Sequence, residues 1–253
     1  MKKVLILFRN GCDIDLLLKS YKNLNHSFGF EMVPLFVNDI SYSMPVRDTV
    51  MGSGIAVKLL DEINTEFLEK VKTGFQKYGF KENIIIETGL TTHALKEHLK
   101  YCDLLLLNQE SLLDDVFIDT LKIIFRPLII IRNKPLTFEK IAIASNDGIK
   151  VNISTYNFLN LFDDSSIENV SIFTWNYGEP NLYLNDLIEG KGFKTKVYNF
   201  NTNDHSIDDF YYNLNQFDLM IMGNLSRSFF FEKITNRMGL NLLENITTNI
   251  FIG

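Results

Sequence analysis

The chain lacks an excess of positive charge and lacks any long hydrophobic run. Its 253 residues carry 25 Lys and Arg against 31 Asp and Glu, which gives a net charge of −6 and a pI near 5.3. A nucleic-acid-binding surface demands clustered Lys and Arg, and an anionic membrane disfavours a negatively charged chain. No segment approaches the ~18 apolar residues of a membrane-spanning helix. The composition therefore argues against nucleic acid and membranes as partners.

Cysteines and signal-peptide features are also sparse. The two cysteines, Cys12 and Cys102, lack metal-binding or redox spacing, so we interpret them as buried thiols in a reducing compartment. The apolar run at residues 4–8 follows two lysines but ends at Arg9, whereas a secretory signal needs at least ~7 apolar residues. We therefore expect a cytoplasmic protein.

Short apolar runs alternate with amphipathic stretches along the whole chain. Each half contains five such runs, and the first, residues 4–8, shows no polar alternation, which is typical of a strand buried on both faces. The stretches between them carry apolar residues at helical spacing, such as Leu17, Tyr21 and Leu24. The predicted strands are residues 4–8, 32–37, 83–87, 103–107 and 128–131, then 141–144, 170–174, 194–199, 219–222 and 250–252. The predicted helices are residues 13–28, 56–78, 91–100 and 113–124, then 151–162, 182–189, 207–213 and one within 229–245. This order predicts an α/β fold with two tandem doubly wound five-stranded parallel-sheet domains, at residues 1–133 and 138–253.

The two halves share landmarks as well as element order. A glycine follows the first strand, an aspartate opens the fourth strand, and the fifth strand is almost wholly apolar. The corresponding segments are Gly11 and Gly148, "CDLLLLN" (102–108) and "FDLMIMG" (217–223), and "RPLIII" (126–131) and "TNIFIG" (248–253). Duplication explains these matches better than coincidence. We therefore expect two equivalent sheets side by side, each with its own cleft.

The stretch "ETGLTTHALKEHLKYCDLLLLN" at residues 87–108 places a glycine after the third strand, then a short helix, then the aspartate of the fourth strand. With "RPLIII" as a fifth strand and Asp147-Gly148 after a first strand, the chain resembles a tandem universal stress protein. The resemblance implies the strand order 3-2-1-4-5 of the adenine nucleotide α-hydrolase-like fold, with a ligand beyond the carboxyl ends of strands one and four. It also implies a non-enzymatic protein of the stress response that acts by binding a partner or a small ligand.

The same resemblance implies assembly through the fifth strands. In a tandem chain the two halves would pair there internally as a pseudo-dimer, which hides two sheet edges. The sequence identifies no protein partner and leaves open whether two chains form a homodimer.

Nucleotide-binding members of this family hold ATP with a loop of pattern G-x2-G-x9-G-[ST] after strand four, because glycines let backbone N–H groups approach phosphate. In the first half that loop reads "NQESLLDD" (108–115), which has no glycine. It brings Glu110, Asp114 and Asp115 to the place where phosphate needs neutralising, and Asn10 stands where an acid is expected after strand one. We therefore predict that the first half binds no ATP in the usual way.

The second half keeps part of the nucleotide pattern. Asp147 and Gly148 match the expected acid and turn, and Gly223 matches the first glycine, but Ser226 and Asn236 replace the other two. A turn followed by a solvated loop is the favoured interpretation, because two of three glycines are missing. A weak site for ATP or AMP stays a hypothesis. Its candidate residues are Asp147, Gly148, Gly223, Asn224, Ser226, Arg227 and Ser228.

An enzyme of the same fold, such as an ATP pyrophosphatase, is the alternative. That chemistry needs an S-G-G-x-D-S loop after strand one, whereas the chain offers "RNGCDID" and "SNDGIKV". A response-regulator receiver needs a phosphoacceptor aspartate after strand three, which Glu87-Thr88-Gly89 does not supply. His93 and His98 are five residues apart, which splays them around a helix instead of aligning them on one metal. No Ser/His/Asp or Cys/His arrangement can be assembled, so neither catalytic residues nor metal ligands are predicted.

Overall fold

The computed structural model describes residues 1–40, 53–109, 114–162, 167, 169–178, 182–223 and 238–253. Within those residues the predicted alternation of strands and helices is present. In the first half the elements are β1 (Lys3–Phe8), α1 (Ile14–Phe28), β2 (Glu31–Asp39), α2 (Ser53–Tyr78), β3 (Ile85–Gly89), α3 (Thr91–His98), β4 (Leu104–Asn108), α4 (Asp115–Ile123) and β5 (Leu128–Ile131). A short 3-10 turn, Leu99–Tyr101, follows α3.

The second half repeats the order with shorter helices. Its elements are β6 (Ile141–Ser145), α5 (Ile149–Leu161), β7 (Asn169–Trp175), α6 (Tyr183–Gly190), β8 (Lys194–Phe200), α7 (Ile207–Leu214), β9 (Leu219–Met222), α8 (Met238–Asn245) and β10 (Asn249–Ile252). Helix α6 has 8 residues where the first half has the 26 residues of α2, so the second crossover is short, as the sequence predicts.

All ten strands form one sheet, in the order β3-β2-β1-β4-β5-β10-β9-β6-β7-β8. Each half keeps the predicted order 3-2-1-4-5, and every pairing is parallel except the central one, where β5 and β10 run antiparallel. The expectation of two separate five-stranded sheets is therefore wrong. The fifth strands, "LIII" and "NIFI", are fully buried and would present apolar sheet edges if left unpaired. Their pairing satisfies the backbone N–H and C=O groups of both edges.

One hydrogen-bond motif occurs at the start of the first strand in both halves. The backbone N–H of Lys3 donates to the Asp103 carboxylate at 2.7 Å, and that of Lys140 donates to the Asp218 carboxylate at 3.0 Å. Each aspartate opens the fourth strand and holds the amino end of the first strand beside it. The landmark that the sequence suggested is therefore a real contact, made once in each half.

The core consists of two apolar layers, one on each face of the sheet. Side chains alternate along β1, so that Val4, Ile6 and Phe8 enter one layer and Leu5 and Leu7 enter the other. The first layer packs under α1, α2, α5 and α6, and the second under α3, α4, α7 and α8. Each layer runs through both halves without interruption.

Aromatic rings connect the halves within the first layer. Phe28, at the end of α1, stacks edge-on against Phe162 at 5.0 Å and Phe138 at 4.8 Å, both of which belong to the second half. Phe162 in turn contacts Phe251 of β10. Such aromatic pairs stabilise by about 0.5–1.5 kcal/mol beyond their buried area. The halves therefore share a core as well as a sheet.

Candidate functional site

The strand order creates two clefts where a ligand would be expected. In open parallel sheets ligands bind beyond the carboxyl ends of strands at the point where the winding direction reverses. That point lies between β1 and β4 in the first half and between β6 and β9 in the second. Gln109 follows β4 and Gly223 follows β9, so each begins one wall of a cleft.

The first cleft contains a cation with its own counter-ion. The Arg9 guanidinium, directly after β1, donates through Nη1 to the Asp114 carboxylate at 2.8 Å and through Nη2 to Oε1 of Gln109. Asp114 also caps helix α4, because its carboxylate accepts the Phe117 N–H at 2.7 Å. A phosphate entering this cleft would have to displace a carboxylate that already satisfies both an arginine and a helix N-terminus.

The sequence predicts that Asp114 repels phosphate, but it does not identify the arginine that pairs with this carboxylate. In the sequence Arg9 only marks the end of the first apolar run. Nothing local connects it to Asp114, because the two residues are 105 positions apart. A basic residue at the exit of strand one, with an acid after strand four, was the available signal. The two positions meet because β1 and β4, the strands that they follow, are neighbours in the sheet.

Carboxamides fill the rest of the first cleft. Asn10 donates to the Oδ1 of Asn64 on α2, and Asn64 donates to the Oδ1 of Asn38 at the end of β2. On the other side the Asp13 N–H donates to Oδ1 of Asn108 at 2.8 Å. Asn64 and Asn108 are buried. Buried amides that are bonded to one another form a rigid floor, which would lose these bonds if a ligand separated them.

Arg132 lies behind the first cleft and is only 2% exposed. Its Nη1 donates to the Gln109 carbonyl at 3.0 Å and its Nη2 to the Leu243 carbonyl at 2.6 Å, so it connects the end of β4 to α8 of the second half. Its backbone N–H donates to Oδ1 of Asn249 at 2.9 Å. Burial lowers the pKa of Arg132 to about 10, which leaves the guanidinium charged at neutral pH.

In the second cleft the Asp147 carboxylate is hydrogen-bonded to the start of helix α6. The Asp147 backbone is left-handed, with φ +52°, and the carboxylate accepts the backbone N–H groups of Tyr183 and Leu184 at 3.0 Å each. The hydroxyl of Tyr177 and the amide of Asn152 also donate to it, at 3.3 and 3.4 Å. The acid that the resemblance assigns to the adenine and ribose end of a nucleotide therefore stabilises the start of α6.

The two glycines of the second cleft lie on either side of the first turn of α5. Gly148 is the N-cap of α5 and, lacking a side chain, makes no side-chain cap hydrogen bond. A Cβ on Gly223 would lie 3.0 Å from the Val151 nitrogen and 3.1 Å from Cβ of Lys150, so only glycine lets β9 end this close to the helix. The structure thus brings Asp147, Gly148 and Gly223 together around one helix N-terminus. The other predicted site residues, Asn224, Ser226, Arg227 and Ser228, lie outside the described residues.

Other polar clusters do not form a metal site. His98 contacts Glu87 through Nε2 at 2.9 Å and Tyr101 through Nδ1, while His93 lines a separate surface depression beside Gly89. Across the ranges that the structure describes, no group of three His, Cys, Asp or Glu side chains is placed to hold a metal ion. Within the same ranges no helix has the length and apolar character needed to cross a membrane.

Comparison with solved structures finds this fold in a universal stress protein from Archaeoglobus fulgidus DSM 4304. The two structures superpose with a TM-score of 0.69 over 98% of this chain and 94% of that chain, at 14% sequence identity. No protein-family model matches the sequence, and a search of curated proteins returns no match. The chain therefore has a universal-stress-protein-like α/β fold, and at this identity the likeness concerns the fold alone.

Proposed function

We propose that the chain is a non-enzymatic binding protein of the universal stress type, in which the second-half cleft alone accepts a nucleotide, ATP or AMP, and does so weakly. The observation that carries the proposal is the Arg9–Asp114 ion pair, which occupies the only arginine at the exit of the first strand in that half. Arginine is the natural partner of a phosphate, and here both sides of its guanidinium fork are already bonded. Freeing it would break this charge-assisted pair, while the other Asp114 oxygen continues to cap α4.

The contrast between helices α1 and α5 supports a site in the second half. Asp13 caps α1 and its carboxylate accepts the Leu16 N–H at 2.9 Å, so a negative charge already lies at that N-terminus. The N-cap of α5 is Gly148, one position beyond the counterpart of Asp13, and it contributes no side chain. Uncapped N–H groups at a helix N-terminus favour a phosphate or carboxylate group. Gly223 packs directly against that turn, since an added Cβ would lie 3.0 Å from the Val151 nitrogen.

The neighbouring Asp147 explains why we expect weak binding. Its negative charge lies next to the proposed phosphate position and repels it, and its hydrogen bonds to α6 leave little capacity for a ribose hydroxyl. A nucleotide phosphate would therefore gain hydrogen bonds from the helix N–H groups. Repulsion by Asp147 would cancel part of that favourable binding free energy. Affinity between micromolar and millimolar is expected, which suits a sensor of abundant nucleotides more than a tight cofactor site.

Calorimetry with ATP, ADP and AMP tests the proposal, with Gly148→Asp as the decisive variant. The substitution places in the second half the carboxylate cap that the first half already has, and the added Cβ meets only the movable Asn146 side chain. We expect wild-type binding to disappear in Gly148→Asp and to persist, though weakened, in the neutral variant Gly148→Asn. Asp13→Asn, which alters the first half, should leave the binding unchanged.

The single tryptophan offers a second readout that is specific to one half. Trp175 ends β7, next to β6, so nucleotide in the second cleft should change its fluorescence. Absence of heat and of any fluorescence change at about 1 mM nucleotide would rule out the nucleotide part of the proposal. Release of phosphate or pyrophosphate from ATP by the purified protein would instead favour an enzyme of the same fold and contradict a binding role.

A further inference from the structure

The outward face of helix α5 is apolar along most of its length. Ile149, Ile153 and Tyr156 follow one another at helical spacing and are 80%, 50% and 50% exposed. We call these three residues the apolar ridge. The opposite face of α5, with Val151 and Phe158, is buried in the core. A helix with apolar residues on both faces is typical of one that is covered on both sides.

Helix α1 is the counterpart of α5 and allows the two surfaces to be compared. The Ser20 hydroxyl accepts the Leu136 N–H at 3.0 Å, and the Ser154 hydroxyl accepts the Gly253 N–H at 3.0 Å. In both cases a buried serine of the first helix holds the chain that follows the fifth strand. The two serines therefore occupy equivalent positions, and they fix the alignment of α1 with α5.

In this alignment the positions of the apolar ridge are charged in the first half: they carry Asp15, Lys19 and Lys22. The long helix α2 also partly covers that side of α1, since the Tyr78 hydroxyl donates to the Asp15 carboxylate at 2.7 Å. The short α6 does not cover α5 in the same way. The fold itself therefore does not require an apolar surface here, and the second half has one that its own crossover helix leaves exposed.

The ridge borders a groove of about 410 Å3 between α5 and α6, whose far wall is formed by Tyr183 and Leu187. A ridge and a groove lie side by side on one surface, which is the shape that two identical copies need to fit together about a twofold axis. Charges of both signs surround this surface: Lys150 and Lys191 are positive, and Asp147, Asp186 and Glu189 are negative. A second copy therefore meets a surface with one net negative charge, although the whole chain has a net charge of −6.

We propose that two copies of this chain associate about a twofold axis at α5, with the apolar ridge of each copy in the groove of the other. Helix α5 has 13 residues and is about 20 Å long, so with α6 beside it each copy buries on the order of 400 Å2. Stable dimers bury about 800 Å2 per partner, so the association is reversible. Asp147 lines both this groove and the second cleft, so the association is tested in the absence of nucleotide.

Sedimentation velocity over about 1 µM to 1 mM protein tests the proposal, because a weak dimer should form within this range. The wild-type chain is expected to shift from a 29.3 kDa monomer to a dimer as its concentration rises. Ile153→Asp should remain monomeric throughout. Tyr212→Asp is the matched control, since Tyr212 is a 69% exposed apolar residue of α7, beyond the opposite face of the sheet, and it should dimerise as the wild type does.

Cysteine cross-linking tests the position of the twofold axis. Ile153→Cys places a thiol near the axis, so oxidation should link two copies by a disulfide, whereas Tyr212→Cys should stay unlinked. A wild-type chain that is monomeric at about 1 mM, or an Ile153→Asp variant that dimerises normally, would overturn the proposal. So would a dimer that Ile153→Cys fails to trap, because the axis would then lie elsewhere.

Discussion

Replacing Ile130 by alanine should destabilise the half of the protein that does not contain it. Ile130 lies on β5, is fully buried, and pairs with Leu107 on one side and with Ile250 of β10 on the other. Truncating a buried isoleucine to alanine costs about 2–5 kcal/mol, against a total stability of about 5–15 kcal/mol for a folded domain. Because one sheet and two continuous apolar layers join the halves, we expect this loss to lower the stability of the whole chain.

Urea unfolding followed by two signals provides the assay. Trp175 lies on β7, four strands away from β5, or about 19 Å, so its fluorescence reports the second half without contact with the mutated side chain. Far-UV circular dichroism reports both halves. With a slope near 3 kcal/mol per molar urea, a loss of about 3 kcal/mol moves the midpoint by about 1 M. Both signals should move together.

Ile130→Val is the matched control, because it removes one methylene and should cost only about 0.5–1.5 kcal/mol. Its midpoint should therefore fall between those of the wild type and Ile130→Ala. Unfolding of the two halves as one unit is contradicted if the Trp175 transition of Ile130→Ala stays at the wild-type midpoint while the circular dichroism shows an earlier, separate step. That result would mean that the halves unfold independently despite their paired fifth strands.

Three further predictions concern single contacts. Gly223→Ala should cost about 1–3 kcal/mol, because its Cβ would lie 3.0 Å from a backbone nitrogen of α5; an unchanged melting temperature would contradict this close packing. Hydrogen bonding from Lys19 is the largest of the effects that lower the pKa of Asp15 below its ordinary value of 3.8. A lowered carboxyl pKa adds stability that is present in full above the ordinary value and is lost as the pH falls below it, so Asp15→Asn should flatten the loss of stability between about pH 5 and pH 2. The effect should be small for so exposed a group, and an identical pH profile would count against it. Burial raises the pKa of the Cys12 and Cys102 thiols to about 11 each, but Cys12 is partly exposed, contrary to the expectation of two buried thiols. Cys102 should therefore not react with Ellman's reagent at about pH 8 until urea unfolds the chain, and fast labelling of native Cys102 would refute its burial.

Much of the fold could be predicted from the sequence because the pattern that identifies each strand or helix lies within that element. A strand buried on both faces must be apolar at successive positions, and "KVLILF" and "LLLLN" leave no helical alternative at that length. Pairing of the two fifth strands was expected only from the family resemblance, since it connects positions 120 residues apart, such as Ile130 and Ile250. A physical signal was nevertheless present. Edge strands normally carry charges that prevent pairing, and two fifth strands without any charge indicate edges that are already paired.

The candidate site was less predictable because its residues act through partners that the sequence does not place beside them. Asp147 looked like a ligand residue since it follows a first strand, yet its carboxylate is bonded to N–H groups 36 and 37 residues further along the chain. Asp114 looked like a repelling charge, yet Arg9 neutralises it. In both clefts an acid is used within the fold: Asp114 pairs with an arginine, and Asp147 bonds to a helix N-terminus. The clefts also differ in one helix cap: the Asp13 carboxylate caps α1, whereas Gly148, the N-cap of α5, makes no side-chain cap hydrogen bond.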